Sequence, residues 1–563
     1  MINKISSSSV NNRQPLSQTQ NQPQFKGGFE SGIGMVLGGV QYLEQNPMMN
    51  VAVLDVTTAI GPRTIVEGQT NPYAGFEAFR RESSGLIINC MIPGVIVLGI
   101  AKALQGPIMG GKSTMAGSWA NEDTIKMVAK YRQEAEAAGA GKTAREISLD
   151  TVKRILKNME GANGKEMVSF DKIEEAKLDS VANKIVDEAE RLSNPNAPKG
   201  FSWSAIKARR AAKKDSNKAI NEAFETIVKE TYSTENIRIN GFKGKDGVSY
   251  FSQGLKSILE NTPKILHEIT SGKHASIEEF TKKSIKLVNW KGALGLGAVV
   301  IPLAIAAQPL NRWLTEKSSG KKGAPIYKDF GDTQNIELSK DEKSALFRQK
   351  IISIGSIVGV SLLSMMKLPS MSMLKGLVQF EKLFPTMDQA RLVSTATFAS
   401  RMGASQDKND LREATVRDIA TFSSFYFLGD YVAKGIASLV QKLHPEVELI
   451  NVLKERKEGA NIFQKFGHWA KNTALKSSDE LATKKLKNIR AACQLGNIAF
   501  SLIALGIVIP KIYRGKTDSE REKELQQKGV DPNQINKYYH HLLKNNPNFA
   551  SKNNTYNAFF TSK

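Results

Sequence analysis

The sequence predicts an all-α fold: multi-pass membrane helices with an inserted soluble helical domain. Three observations carry that prediction. Four long apolar runs hold no charge, helix caps and 3.6-residue periodicity fill the stretch between the first two, and 563 residues contain only two cysteines. At roughly 150 residues per domain the chain holds about four structural units. Its 41% hydrophobic fraction is too near the globular range for wholesale disorder. Cys90 and Cys493 exclude a disulfide scaffold and a four-cysteine zinc module.

The chain opens on a polar leader, residues 1–27. Ser, Asn and Gln supply 14 of the first 24 residues, and no apolar core marks a cleavable secretory signal. Such a tract buries too little apolar area to offset its chain entropy, so disorder is expected.

Residues 28–110 form a membrane-associated N-terminal region. Ser31–Leu43 is apolar but too short to cross a bilayer alone. Leu86–Ala101 is the first strong run, uncharged between Glu82 and Lys102. A spanning helix needs about 20 residues, a length this run reaches by including its flanks.

Just beyond it, Gly106, Gly111, Lys112 and Ser113 match the phosphate-binding pattern G-x-x-x-x-G-K-[ST]. In a phosphate site a buried strand enters the loop directly, loop amides wrap the phosphates, and the hydroxyl binds magnesium. Here the apolar run stops at Ala101, a helix end intervenes, and the following TMAGSWANED starts a helix poorly. No later apolar run ends in the Asp that would supply a second magnesium ligand. The match reads as chance, and no cofactor is expected.

Residues 111–290 form a soluble basic helical domain. Thr143–Glu146 and Ser276–Glu279 fit capping boxes. Ile147, Val152, Ile155, Leu156 and Met159 follow helical spacing, as do Ile173, Ala176, Val181, Ile185 and Ala189. Asn194–Gly200 reads as a loop, and residues 235–250 as a small hairpin. Between Lys199 and Lys218 lie seven basic residues against Asp215 alone. Trp203, Lys207, Arg209, Arg210, Lys213 and Lys214 are the candidate surface for an anionic leaflet; an ordinary solvated face is the plain alternative. The next apolar stripe, Ile220, Phe224 and Ile227, is turned by about 100°, which predicts a helix break near Asp215–Asn217.

Residues 291–440 form a membrane helix region with runs at Gly292–Leu310 and Ile351–Met366. Gly355 and Gly359, four apart, are candidates for close helix packing within a homo- or hetero-oligomer. Asp430 and Lys434 sit at i and i+4, which predicts a self-satisfied pair, with an intramembrane ion site as the alternative. Residues 441–490 are a basic helical connector, 491–513 a membrane helix, and 514–563 a polar tail with a short helix opening at Asp531-Pro532. Lys and Arg are balanced on the two sides of the runs compared, so the positive-inside comparison is a tie. The basic domain is expected on the cytoplasmic side.

The formal charge of +23 divides as +1 over residues 1–104, then +6 over 105–290, +6 over 291–440 and +10 over 441–563. That spread argues against a dedicated nucleic-acid patch. The six histidines show no metal-ligand spacing, and no G-x-S-x-G elbow appears. The expected function is therefore an integral membrane scaffold or interaction protein without catalytic chemistry, with membrane lipids as partners. The alternative is a multi-pass transporter or channel using Asp55, Asp430 and proline-broken helices at Pro93 and Pro302. A P-loop nucleotide-binding protein ranks third.

Overall fold

Helices make up most of the regular structure in this computed structural model. It describes residues 36–40, 47–70, 72–163, 166–192, 202–231, 237–240, 248–250, 254–319, 338–365, 371–452, 459, 461–476, 481 and 483–527. The polar leader, the 194–200 loop and the Asp531-Pro532 helix start lie outside the described residues.

A short helix over 36–40 (α1) is followed by α2 (Pro47–Leu54) and α3 (Gly61–Thr70), joined by the π-helical stretch Asp55–Ile60. Helix α4 (Pro72–Leu86) runs on through a π stretch, Ile87–Met91, and α5 (Pro93–Met109) leaves it at 49°. Proline at the first position of α5 lacks the N–H that would continue the ladder, so the bend falls there.

The next helices are α6 (Glu122–Ala137), α7 (Ala144–Lys157), α8 (Glu175–Leu192), α9 (Trp203–Thr231), α10 (Leu255–Thr270) and α11 (Ile277–Gly292). They enclose one apolar core that includes Leu156, Phe170, Ile185, Ile258 and Phe280. Thr143 and Glu146 form the expected capping box. At α11, Ser276 accepts from the Glu279 amide, while the Glu279 carboxylate reaches one residue further back, to Ala275.

This domain also carries a four-stranded antiparallel sheet of order β2-β1-β3-β4: β1 Met159–Asn163, β2 Glu166–Ser169, β3 Arg238–Asn240 and β4 Val248–Tyr250. The β3–β4 hairpin, with Ile239 opposite Ser249, is the one expected from residues 235–250. The β1–β2 hairpin is a finding beyond the sequence. Met159 satisfies the helical stripe but is buried in β1, because α7 ends at Lys157 and Asn158 caps it.

The expected break near Asp215–Asn217 does not occur, and α9 is continuous over 29 residues. Its C-terminal half buries Ile220, Ala223 and Ile227 in the core, whereas Lys207, Arg210, Lys213 and Lys214 are exposed. The two apolar stripes serve different surroundings, so they need not align. Ser216, inside the expected break, donates to Glu188 at 2.7 Å.

Helix α11 continues through a π stretch, Ala293–Val300, into α12 (Ile301–Ser319). Pro302 therefore does not break the helix; the wide π turn before it accommodates the missing N–H. The remainder is α13 (Lys340–Met365), α14 (Met371–Val378), α15 (Met387–Ala404), α16 (Lys408–Ser423), α17 (Gly429–Leu443), α18 (Ile462–Asn472), α19 (Lys484–Ile503) and α20 (Ile509–Gln527). Strands β5 (Ile450–Val452) and β6 (Thr473–Leu475) pair antiparallel on either side of α18.

Among the described residues, three helical stretches are long and apolar enough to cross a membrane: Ile277–Ser319, Lys340–Met365 and Lys484–Thr517. The bent pair Pro72–Met91 and Pro93–Met109 makes a fourth if it is one span. The four apolar runs of the sequence fall on these four elements.

Candidate functional site: a buried arginine–carboxylate lattice

Helices α3 and α4 meet as a tight hairpin. A Cβ on Gly75 would lie 2.6 Å from the Cα of Gly68, so only glycine lets these backbones touch. That contact sets the charged residues of the two helices against one another. Arg63 of α3 reaches Glu82 of α4 at 3.0 Å, and Arg81 reaches both Glu82 at 3.0 Å and Glu67 at 3.3 Å.

Helices α15 and α16 complete the lattice. Arg401 lies between Glu82 at 3.8 Å and Asp418, and Arg417 contacts Asp418 at 3.3 Å and Glu413 at 3.6 Å. Arg312 of α12 extends it to Glu77 at 3.4 Å and Asp410 at 3.2 Å. Glu82 thus faces three guanidinium groups, and Arg63 also donates to the Thr421 hydroxyl at 2.7 Å. Arg63, Glu82 and Asp418 are at most 5% exposed, so these pairs are shielded from water and salt.

Beside the lattice lies a void of about 20 Å³, room for one water molecule. Three of the π-helical stretches meet at it: Asp55 comes from the first, Asn89 and Cys90 from the second, and Phe425 and Tyr426 from the third, Ser424–Leu428. π turns widen a helix by one residue and recur at functional sites. Ser394 and Tyr426 share a hydrogen bond at 2.9 Å, and Thr397 donates to Asn89 at 3.1 Å. Among the described residues Asp55 makes no hydrogen bond or ion pair; the charges acting on it are those of Glu82, Arg63 and Arg401.

Of the sequence candidates, only Asp55 belongs to this site. Gly106 is in the last turn of α5 and its carbonyl accepts from the Gly110 amide, and further amides of the loop are spent on the chain itself. The Ser113 amide donates to Gln105 at 3.1 Å, and the Thr114 amide and hydroxyl donate to the Glu268 carboxylate at 2.9 and 2.8 Å. Gly111 and Lys112 are exposed, and the Lys112 carbonyl accepts from Lys273 at 3.1 Å. Burial opposes ionisation of Glu268, but the Thr114 donors and Lys273 outweigh it and hold the carboxyl below its ordinary range.

Gly355 and Gly359 make no close approach among the described residues: a Cβ on either would touch nothing within 4 Å. The intramolecular close approaches fall elsewhere, as at Gly292 against the Val378 carbonyl and Gly94 against that of Leu383. Trp203 is exposed with Lys207, Arg210, Lys213 and Lys214, and the Arg209 side chain lies outside the described residues.

The expected Asp430–Lys434 pair does not form. Asp430 is exposed, whereas Lys434 turns to α18 and donates to the carbonyls of Trp469, Ala470 and Thr473 at 2.8, 3.2 and 3.0 Å. Three carbonyls at a helix C-terminus outcompete one carboxylate a turn away.

Sequence reasoning missed the lattice, although a signal was present. Glu77 and Arg81, Arg63 and Glu67, and Glu413 and Arg417 all stand at i and i+4, and in α4 small residues (Ala74, Gly75, Ala78, Gly85) surround them. Charges interleaved with small residues mark a helix face that packs against another. Compared with known proteins, the chain matches no family model, no curated protein and no solved structure.

Proposed function

We propose that this chain is a multi-pass integral membrane scaffold whose basic helical domain lies on the cytoplasmic side, and that it carries no catalytic chemistry. One observation supports this above the others: the lattice ties α3, α4, α12, α15 and α16 together through mutually paired charges. Each arginine is spent on a carboxylate, and the adjoining void admits one water, which suits a fixed frame better than a substrate path. The exposed basic face of α9 is then a surface for anionic lipid headgroups. Two measurements test the reading. The protein stays with membranes through alkaline extraction, and purified protein in proteoliposomes passes neither protons nor small ions. Loss to the supernatant, or measurable flux, overturns it.

A second reading rests on Asp55. A carboxyl without an ion pair, beside a hydroxyl-lined void in a bundle of apolar helices, is the arrangement that binds a proton in a transporter. Proton-driven flux abolished by Asp55→Asn would establish this reading and displace the first.

A further inference from the structure

Helix α18 is capped at both ends by side chains, yet among the described residues its apolar face covers nothing. At its start the Asn461 side chain accepts from the Gln464 amide at 2.8 Å, and Gln464 accepts in return from the Asn461 amide at 3.1 Å. At its end Lys434 holds the last carbonyls, and Trp469 donates to Ser438 at 2.9 Å and stacks 6.0 Å from Tyr431. The helix is thus fixed to α17 through its C-terminal turn. Ile462, Phe463 and Phe466 share an arc of about 100° on the helical wheel and are 78%, 85% and 65% exposed. A firmly capped helix whose apolar face no described residue covers calls for an occupant.

The position of α18 says which occupant. Helices α17 and α19 run antiparallel: Gly429 lies beside Asn497, Ile436 against Gly496, and Val440 clusters with Ile489 and Leu486. Lys434 and Ser438, which hold α18, are therefore level with the first turn of the apolar run, about Ala491 to Gln494. Cys493 is two residues, or about 3 Å, inside the apolar run that begins at Ala491. Immediately outside that level stand Lys484, Lys485, Lys487 and Arg490, and residues 441–490 carry 11 basic against six acidic side chains. The apolar face of α18 is thus set at the boundary between a basic belt and an apolar helix.

We propose that α18 is an interfacial helix that inserts Ile462, Phe463 and Phe466 among the acyl chains of an anionic leaflet, with the surrounding Lys and Arg at its headgroups. An amphipathic helix of this kind lies in the membrane plane, its apolar face about 5–10 Å below the headgroups. This inference rests on the membrane reading above and adds to it a depth and a lipid charge: the N-terminal end of α19 emerges at the anionic leaflet.

The test uses the full-length protein carrying Phe463→Cys or Lys465→Cys, labelled there with a small fluorophore and reconstituted in vesicles. Native Cys90 and Cys493 are buried, and the unsubstituted protein supplies the labelling background. One set of vesicles is phosphatidylcholine alone; the other contains phosphatidylglycerol as well. A shallow lipid nitroxide is expected to quench the probe at 463, which is shielded from aqueous iodide, and the probe at 465 does the reverse. Quenching at 463 rises roughly twofold or more with phosphatidylglycerol. If the protein resists alkaline extraction but the probe at 463 is open to iodide and untouched by the nitroxide, the proposal falls while the membrane reading stands. Extraction at alkaline pH removes the membrane reading itself. Protection from both quenchers, with cross-linking between the cysteines of two molecules, assigns the face to a second copy and overturns the proposal. Equal quenching in the two lipids overturns the anionic assignment.

Discussion

In the helical domain, Leu156, Phe170, Ile185 and Phe280 are buried, while Arg145 pairs with Asp187, Lys177 with Glu230 and Lys184 with Glu222 near the surface. Among the apolar helices the arrangement is reversed. Arg63, Glu82, Arg401 and Asp418 are inside, and Val95, Leu310, Ile352 and Leu363 face outward. Both regions are helical and draw on the same residue types, so helix formation does not separate them. On the membrane reading proposed above, the difference lies in the surroundings each region meets. Against water, an exposed ion pair contributes little and burying leucine contributes much. Against hydrocarbon, an outward leucine costs nothing and a charge must find its partner inside.

The lattice offers the hardest way to break that comparison. Glu82→Ala leaves Arg63, Arg81 and Arg401 without their shared carboxylate, and about 3–5 kcal/mol of stability is expected to be lost. Thermal unfolding of the purified protein in detergent measures it. A loss below that of a surface pair would mean that water reaches the lattice.

Leu156→Ala asks the matching question of the helical domain. Leu156 is fully buried, so the cavity and lost transfer together cost about 2–5 kcal/mol. Hydrogen exchange should show the loss across α6–α8 and leave α15 and α16 protected.

The acid response sharpens the contrast at the exit of α5. Glu268 ionises below its ordinary range when folded, so the unfolded chain binds the proton first. Its contribution is complete above the unfolded carboxylate value and is lost as pH falls through the folded one. Unfolding midpoints followed downward from neutral pH should decline there, and Glu268→Gln should lose this acid-dependent part of the decline. An unchanged acid limb in the variant would show that the Thr114 bonds carry no linkage.

The smallest effect is expected from Arg145→Ala. This guanidinium is partly exposed beside the exposed Asp187 and Glu190, and solvent screening leaves under about 1 kcal/mol. A loss as large as that of Glu82→Ala would erase the distinction between the two regions.

Much of this was written in the sequence because it is local. Uncharged runs as long as Ala491–Pro510, the cap at Thr143 and the 3.6-residue stripes of α7 and α8 depend on neighbours within a few residues. The helical class and the membrane-length elements were therefore legible. What only the tertiary structure decided was partnership. Lys434 has Asp430 one turn away in sequence, yet it binds three carbonyls at the end of α18. Gly355 and Gly359 show the packing spacing, yet the close contacts within the described chain are made at Gly75 and Gly292. Arg401 and Glu82 are separated by more than 300 residues, and no window along the chain contains both. Local propensity selects a helix, but which side chains meet is settled by the packing of whole helices, where a buried charge has only the partners that the fold brings to it.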